Sequence, residues 1–348
     1  MAVKATYIIE GGIAVKKILL ILVIILLALF CACSVNEVPE NPEEPVFSEK
    51  VVVTVDGKDY EVFVPAKTRF EVYEGAQMHV YTPSLSEGVT IDLSGLSGCE
   101  YLEGLSVVLS GKSEKLILPK LPNLDFCEIF GNDIAFIDAS AAEGCDSFNI
   151  VDSSPDEIKI GKGPKSISLA YGFDLSMLSG AKNIKNITVH GNSDLSKVAD
   201  IGEVENVYVF GENDSVAELE NLKSLKKLSL HSFSGDLSGI ENLSMQTLAI
   251  GSYVTQETVD TLTKSETVTD LHINDEFLTN SDFMEKFPNL EYLVLSVEFL
   301  PEGTASLDMI TEAQLDALET NLPKEPLKDF LKKGGAVYLV YDWSRTGK

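Results

Sequence analysis

The chain of 348 residues carries 54 acidic against 27 basic side chains, a formal net charge of −27, and only two of the basic residues are arginines, Arg69 and Arg345. Phosphate backbones demand a basic, arginine-rich footprint, so this balance excludes a nucleic-acid partner and argues against clamping of polyphosphates. With 45% apolar residues the chain can bury a sizeable core, while five cysteines are too few and too scattered for a disulfide framework.

The first element in chain order is an export segment. Lys16 and Lys17 form a short positive region ahead of an unbroken apolar run from Ile18 to Phe30. As a helix the run spans roughly 20 Å, short of the about 30 Å hydrocarbon core of a bilayer. Small Ala32 precedes Cys33, and a polar, Pro-rich stretch follows. This resembles the lipobox of bacterial lipoproteins, which implies cleavage before Cys33 and a lipid on that cysteine. Cys31 is the other candidate, with bulky Phe30 at the cut, and an uncleaved membrane anchor is the alternative to cleavage. Residues 1–33 are therefore expected to be a lipoprotein signal peptide. Residues 34–48, with three prolines and four glutamates, read as an extended acidic tether.

Residues 49–88 are predicted to form a β cap. Within it, KVVVTVDGKDYEVFV (Lys50–Val64) alternates on both sides of Asp56-Gly57, a hairpin signal, and the β unit continues through Phe70–Tyr81. Residues 89–300 carry an internal repeat. Pairs of apolar residues separated by one spacer recur ten times: Leu105/Val107, Cys127/Ile129, Phe148/Ile150, Ile167/Leu169, Ile187/Val189, Val207/Val209, Leu228/Leu230, Leu248/Ile250, Leu271/Ile273 and Leu293/Leu295, in steps of 19 to 23 residues. Most pairs have an apolar residue three before, and often one six before, giving L-x-x-L-x-x-L-x-L. The final alternation is a half-buried strand; a single unit cannot bury its own stripe, but stacked units can.

This pattern resembles the leucine-rich-repeat family. The segments DLSGLSG (Asp92–Gly98), DLSMLSG (Asp174–Gly180), DLSKVAD (Asp194–Asp200) and DLSGIEN (Asp236–Asn242) resemble those of internalin-type repeats. The family's turn asparagine survives only as Asn132 and Asn192. Midway patches at Leu116–Leu118, Ile134–Ile137 and Ile158–Ile160 resemble the convex strands of treponemal-type repeats. The resemblance implies a β-rich solenoid: a leucine-rich-repeat stack with one parallel concave sheet, a β N-terminal cap and a mixed C-terminal cap. That last cap is expected over 301–348, with a helix at Thr311–Glu319 N-capped by Thr311 with Gln314 at the capping-box position, a break at Pro323 and Pro326, and a strand at Ala336–Trp343.

No nucleophile elbow, zinc-protease, P-loop or dinucleotide motif occurs, so no catalytic residue, metal or cofactor is assigned. Cys99, Cys127 and Cys145 occupy consensus apolar positions and read as buried thiols. Because side chains alternate across a strand, the spacer and the residue after each pair face away from the core. Those two columns collect Phe130, Thr188, His190, Tyr208, Phe210, Ser229, His231 and His272, aromatic and polar groups of the kind that anchor interfaces. They are the candidate ligand-binding residues of the concave face. The family resemblance implies a non-enzymatic, lipid-anchored protein of the bacterial cell surface that binds an extracellular protein or glycan non-covalently. An enzyme acting on polysaccharides from a parallel β-helix and a structural envelope spacer are the alternatives.

Overall fold

The computed structural model describes residues 48–342 apart from 74, 132, 143, 144, 154 and 302. All of them belong to the compact unit Pro45–Lys348, the other unit being Met1–Glu44. The expected signal segment, Cys33, the tether as far as residue 47, and Asn132 lie outside the described residues. The strands in chain order are β1 (Ser48–Val55), β2 (Lys58–Pro65), β3 (Arg69–Tyr73), β4 (Gln77–Asp92), β5 (Gly104–Ile117), β6 (Phe126–Phe130), β7 (Asp133–Ala139), β8 (Ser147–Val151), β9 (Glu157–Ile160), β10 (Ser166–Tyr171), β11 (Asn186–His190), β12 (Asn206–Phe210), β13 (Lys227–His231), β14 (Thr247–Ile250), β15 (Asp270–Asn274), β16 (Tyr292–Val297) and β17 (Ala336–Tyr341). They join in one largely parallel sheet of 17 strands, an arrangement compatible with a solenoid-like β fold.

The pairing follows from burial of the apolar pairs. Every member of the ten predicted pairs is at most 2% exposed. Successive pairs stand opposite one another: Leu105 against Cys127, then Phe148, Ile167, Ile187, Val207, Leu228, Leu248, Leu271 and Leu293. A one-residue slip would turn every pair toward water, so the alternation itself fixes the register. The front ladder is longer than the ten pairs. Met78 and Val80 of β4 stand opposite Leu105 and Val107, and Val337 and Leu339 of β17 stand opposite Leu293 and Leu295. All four are completely buried.

A second, shorter parallel ladder runs through the ends of β4 and β5, then β7 and β9. It contains the three midway patches read from the sequence. β5 serves both ladders by bending at Gly111, whose φ of 83° and contact with the Leu85 carbonyl leave no room for a side chain. Beyond β9 the back of the ladder changes to short 3-10 turns at Leu175–Leu178, Leu195–Lys197, Val216–Asn221 and Ile240–Asn242. The D-L-S motifs explain two of these turns and begin another. Asp92, Asp174, Asp194 and Asp236 each accept, through a side-chain oxygen, the backbone N–H two residues on, at 2.8–3.1 Å. The intervening Leu93, Leu175, Leu195 and Leu237 are buried. The motif thus closes an Asx turn while driving a leucine into the core.

Both ends of the front ladder are covered. β3 pairs antiparallel with the start of β4, and the β1–β2 hairpin turns at Asp56-Gly57 with φ of 49° and 71°, the positive values a tight hairpin needs. At the other end residues 307–310 lie antiparallel to β17 through Leu307 N–H to Leu339 C=O and Ile310 N–H to Val337 C=O. Thr311 caps the helix Glu312–Ala317 with the reciprocal Gln314 bond of a capping box. The expected break at Pro323 and Pro326 is corrected in part: Pro326 lies inside the helix Lys324–Lys332. It sits in the first turn, where a missing N–H forfeits no helical bond. Asp275, at the end of β15, accepts Thr320 Oγ1 at 2.5 Å and Asn321 N–H at 3.0 Å, tying the C-terminal segment to the ladder.

Candidate functional site

Three outward positions per strand build the open face of the front ladder. Strands in this ladder lie about 4.8 Å apart, so outward side chains at one level touch across rungs. At the last level, His190, Phe210 and His231 stack as a single aromatic column: His190 to Phe210 has centroids 5.1 Å apart and 21° between planes, and Phe210 to His231 4.7 Å and 10°. Phe210 therefore sits between the two imidazoles. Tyr171 extends the row, standing opposite His190 with its hydroxyl accepting Asn192 Nδ2 at 2.6 Å. At the other end the His231 ring leans over Gly251, where a Cβ would strike it. His231 Nε2 also meets Ser229 Oγ at 3.1 Å.

Beneath this column lies Lys227, the first outward residue of β13. Its ammonium stands 5.5 Å from the centre of the Tyr208 ring, a cation–π distance. Burial lowers its pKa from the ordinary 10.5. Burial also lowers the pKa of His190, and burial reinforced by the Lys227 charge lowers those of His231 and His272. The shift favours the neutral form of all three imidazoles, in which each ring offers one donor and one acceptor. Burial raises the Tyr208 hydroxyl and, against the opposing Asn149 hydrogen bond, the Glu128 carboxyl.

Composition sets this face apart. Among the described residues, the outward positions of the twelve front-ladder strands hold three charged side chains: Glu128, which is 5% exposed, Lys227 and Asp270. The whole chain is 23% charged with a net of −27. The carboxylates are thus displaced to turns and back, while Ser, Thr, Asn, His, Tyr and Phe occupy the face. Depletion of charge with enrichment of aromatics marks the core of a protein interface, and Tyr, Ser, Gly and Asn dominate antibody paratopes.

Of the residues read from the sequence, Thr188, His190, Tyr208, Phe210, Ser229 and His231 lie on three adjacent strands. His272 is two rungs from β13, separated by Ala249 of β14. Phe130 is not part of this cluster: β8, β10 and β11 intervene between it and β12. Ser229 is on the face yet 3% exposed, overhung by larger neighbours. The sequence reading missed Lys227, Asp270 and His79. The first two occupy the position before each apolar pair, which alternation also turns outward. His79 is the spacer of the Met78/Val80 pair, and its imidazole packs edge-on to Tyr73 at 4.8 Å and lies 6.0 Å from Tyr81. The chain matches no known family model and no curated protein.

Proposed function

We propose that this chain is a leucine-rich-repeat recognition protein, held at the bacterial cell surface by a lipid on Cys33, which binds an extracellular protein or glycan non-covalently through the open face of its front ladder. In this reading each apolar pair begins one repeat, β1–β4 form the N-terminal cap, and the segment after β16 forms the C-terminal one. The observation that carries it is the near absence of charge on an aromatic, hydroxyl-rich face of so acidic a chain. Acidic coats keep a protein soluble and repel anionic surfaces; leaving one broad face nearly uncharged gives up part of that benefit, which a binding surface explains. Tyr208, Phe210 and His231 are the rigid anchors, because their rings are already stacked or pinned before any ligand arrives, so little conformational entropy is lost on binding. Binding of the intact chain to arrays of extracellular-matrix proteins and glycans, compared with a Tyr208→Ala/Phe210→Ala variant of unchanged thermal stability, tests this. Loss of the bound signal in the variant is expected; equal binding by both forms would overturn it.

A further inference from the structure

The C-terminal end of the front ladder presents an apolar patch to water. Val294 of β16, Tyr338 of β17 and Met309 of the edge segment stand in register at one level across three adjacent strands. Val294 and Tyr338 are partly exposed, and Met309 is 62% exposed. Tyr292, 42% exposed, has its ring 6.4 Å from that of Tyr338. Leu307, two residues before Met309, is 66% exposed and has a left-handed φ of 69°, with its N–H bonded to the Leu339 carbonyl. A bulky side chain adopts that backbone at a cost. Single exposed apolar side chains are ordinary, but a contiguous group of them marks an interaction site. Carboxylates rim the patch. Asp270 stands opposite Tyr292 on β15, Asp308 lies between Leu307 and Met309, and Glu298 directly follows β16. Asp342, just past β17, accepts Asn274 Nδ2 at 2.6 Å. The stretch Phe287–Pro323 contains seven acidic residues and no lysine or arginine. Glu312 and Asp316 of that stretch pair with Lys332 and Lys328 of the last helix. Glu298 and Asp308 form no ion pair among the described residues.

We propose that this patch docks a cationic amphipathic helix of a partner protein, whose apolar stripe covers Leu307, Met309, Tyr338 and Tyr292 while its lysines or arginines meet the rim. The inference goes beyond the recognition reading and does not depend on it. β14 and β15 separate this patch from Tyr208, Phe210 and His231 on β12 and β13. From β16 to the edge segment is two strand spacings, roughly 10 Å, the width of one helix with its side chains. A helix laid on such a surface is anchored through apolar residues three and four apart, and a rim of opposite charge fixes its register. A second copy of the chain would set Glu298 and Asp308 against their own kind, between molecules of net charge −27. An anionic lipid surface is repelled in the same way. A partner without cations would bury the rim carboxylates uncompensated, which is costly.

Fluorescence anisotropy with the full chain and three labelled peptides tests this. The first is a leucine–lysine peptide of about 14 residues, roughly four helical turns, with its leucines on one face. The second has glutamate in place of lysine, and the third has the first one's composition with the leucines spread around the helix. The first binds, and the other two bind at least about tenfold more weakly. Leu307→Asn/Met309→Thr weakens binding of the first peptide by about tenfold or more; asparagine tolerates the left-handed backbone at that position. Met309→Lys weakens it through like charge, and Glu298→Gln/Asp308→Asn weakens it and flattens its salt dependence. Circular dichroism and the unfolding midpoint establish that each variant is folded. Failure of the first peptide to bind overturns the proposal. Equal binding of the rearranged peptide, or insensitivity to Leu307→Asn/Met309→Thr, shows adsorption to the general acidic coat and overturns it too. Should that double variant not fold, insensitivity to Met309→Lys counts in the same way. A dimer in sedimentation that Met309→Lys disperses would assign the patch to a second copy instead. Tyr208→Ala/Phe210→Ala leaves peptide binding unchanged; loss of binding there would move the peptide to the recognition cluster, and the assignment to this patch would fall while that reading stood.

Discussion

Single side chains on the open face titrate in opposite senses. His190, His231 and His272 have native pKa values below the ordinary 6.5 because burial penalises the imidazolium. The unfolded chain therefore takes up the proton first. Their contribution to stability is intact above about pH 6.5 and declines as the pH falls below it. Urea midpoints at pH 7.5 and 5.5 should show a drop in the native chain and a smaller one in a His190→Asn/His231→Asn/His272→Asn variant. Glu128 behaves inversely. Burial raises its native pKa above 4.5, so its ionised form weighs against folding at neutral pH and is relieved as the native state protonates. Glu128→Gln, which can keep an oxygen toward Asn149 Nδ2, is expected to raise the melting temperature at pH 7, with the gain shrinking toward pH 4. A variant less stable than the native chain at pH 7 would contradict this. At this scale the sequence was legible where alternation was strict. His190, Phe210 and His231 were recognisable as neighbours in one column, whereas their stacking and the burial of Ser229 depend on side-chain packing that no spacing encodes.

An element of this fold is a strand plus the turn that returns to the next. The turn is held by the Asp of D-L-S, whose carboxylate at Asp174 and Asp236 is kept below the usual range by the hydrogen bonds of Ser176 and Ser238. Removing it leaves the turn's first N–H groups uncapped. Asp174→Ala and Asp236→Ala should each cost about 1 kcal/mol in denaturant unfolding, the usual value of such a cap; Asn at the same position should restore most of it. The strand is held by its inward pair, and Leu230→Ala, at 0% exposure, should cost about 2–5 kcal/mol. Strand positions were readable because apolar pairs recur at nearly constant spacing. The first rung was not, since Met78/Val80 precedes Leu105/Val107 by 27 residues, outside the period of the others. The helix Lys324–Lys332 was hidden by Pro326, whose place in the first turn a local reading takes for a break.

From β10 to β17 each strand of the front ladder is paired only with its neighbours, so stability is a sum of nearest-neighbour terms. Amide exchange should accordingly be slowest in β11–β14 and faster toward β17, where the edge is closed by the segment 307–310, the Asp275 contacts and the packing of the C-terminal helices. Asp275→Ala, which strips the acceptor from Thr320 and Asn321, should quicken exchange in β16 and β17 while leaving β11 and β12 unchanged. Uniform acceleration would show instead that the ladder opens as one unit.

The scarcity of charge on the open face also bears on how copies of the protein behave in concentrated solution. An aromatic surface with so few carboxylates is sticky, yet each chain carries a formal charge of −27, and mutual repulsion at low ionic strength holds two such surfaces apart. Salt shortens the reach of that repulsion without weakening apolar contact. Face-to-face pairing should therefore emerge in light scattering as ionic strength rises, and purification in dilute buffer would conceal it.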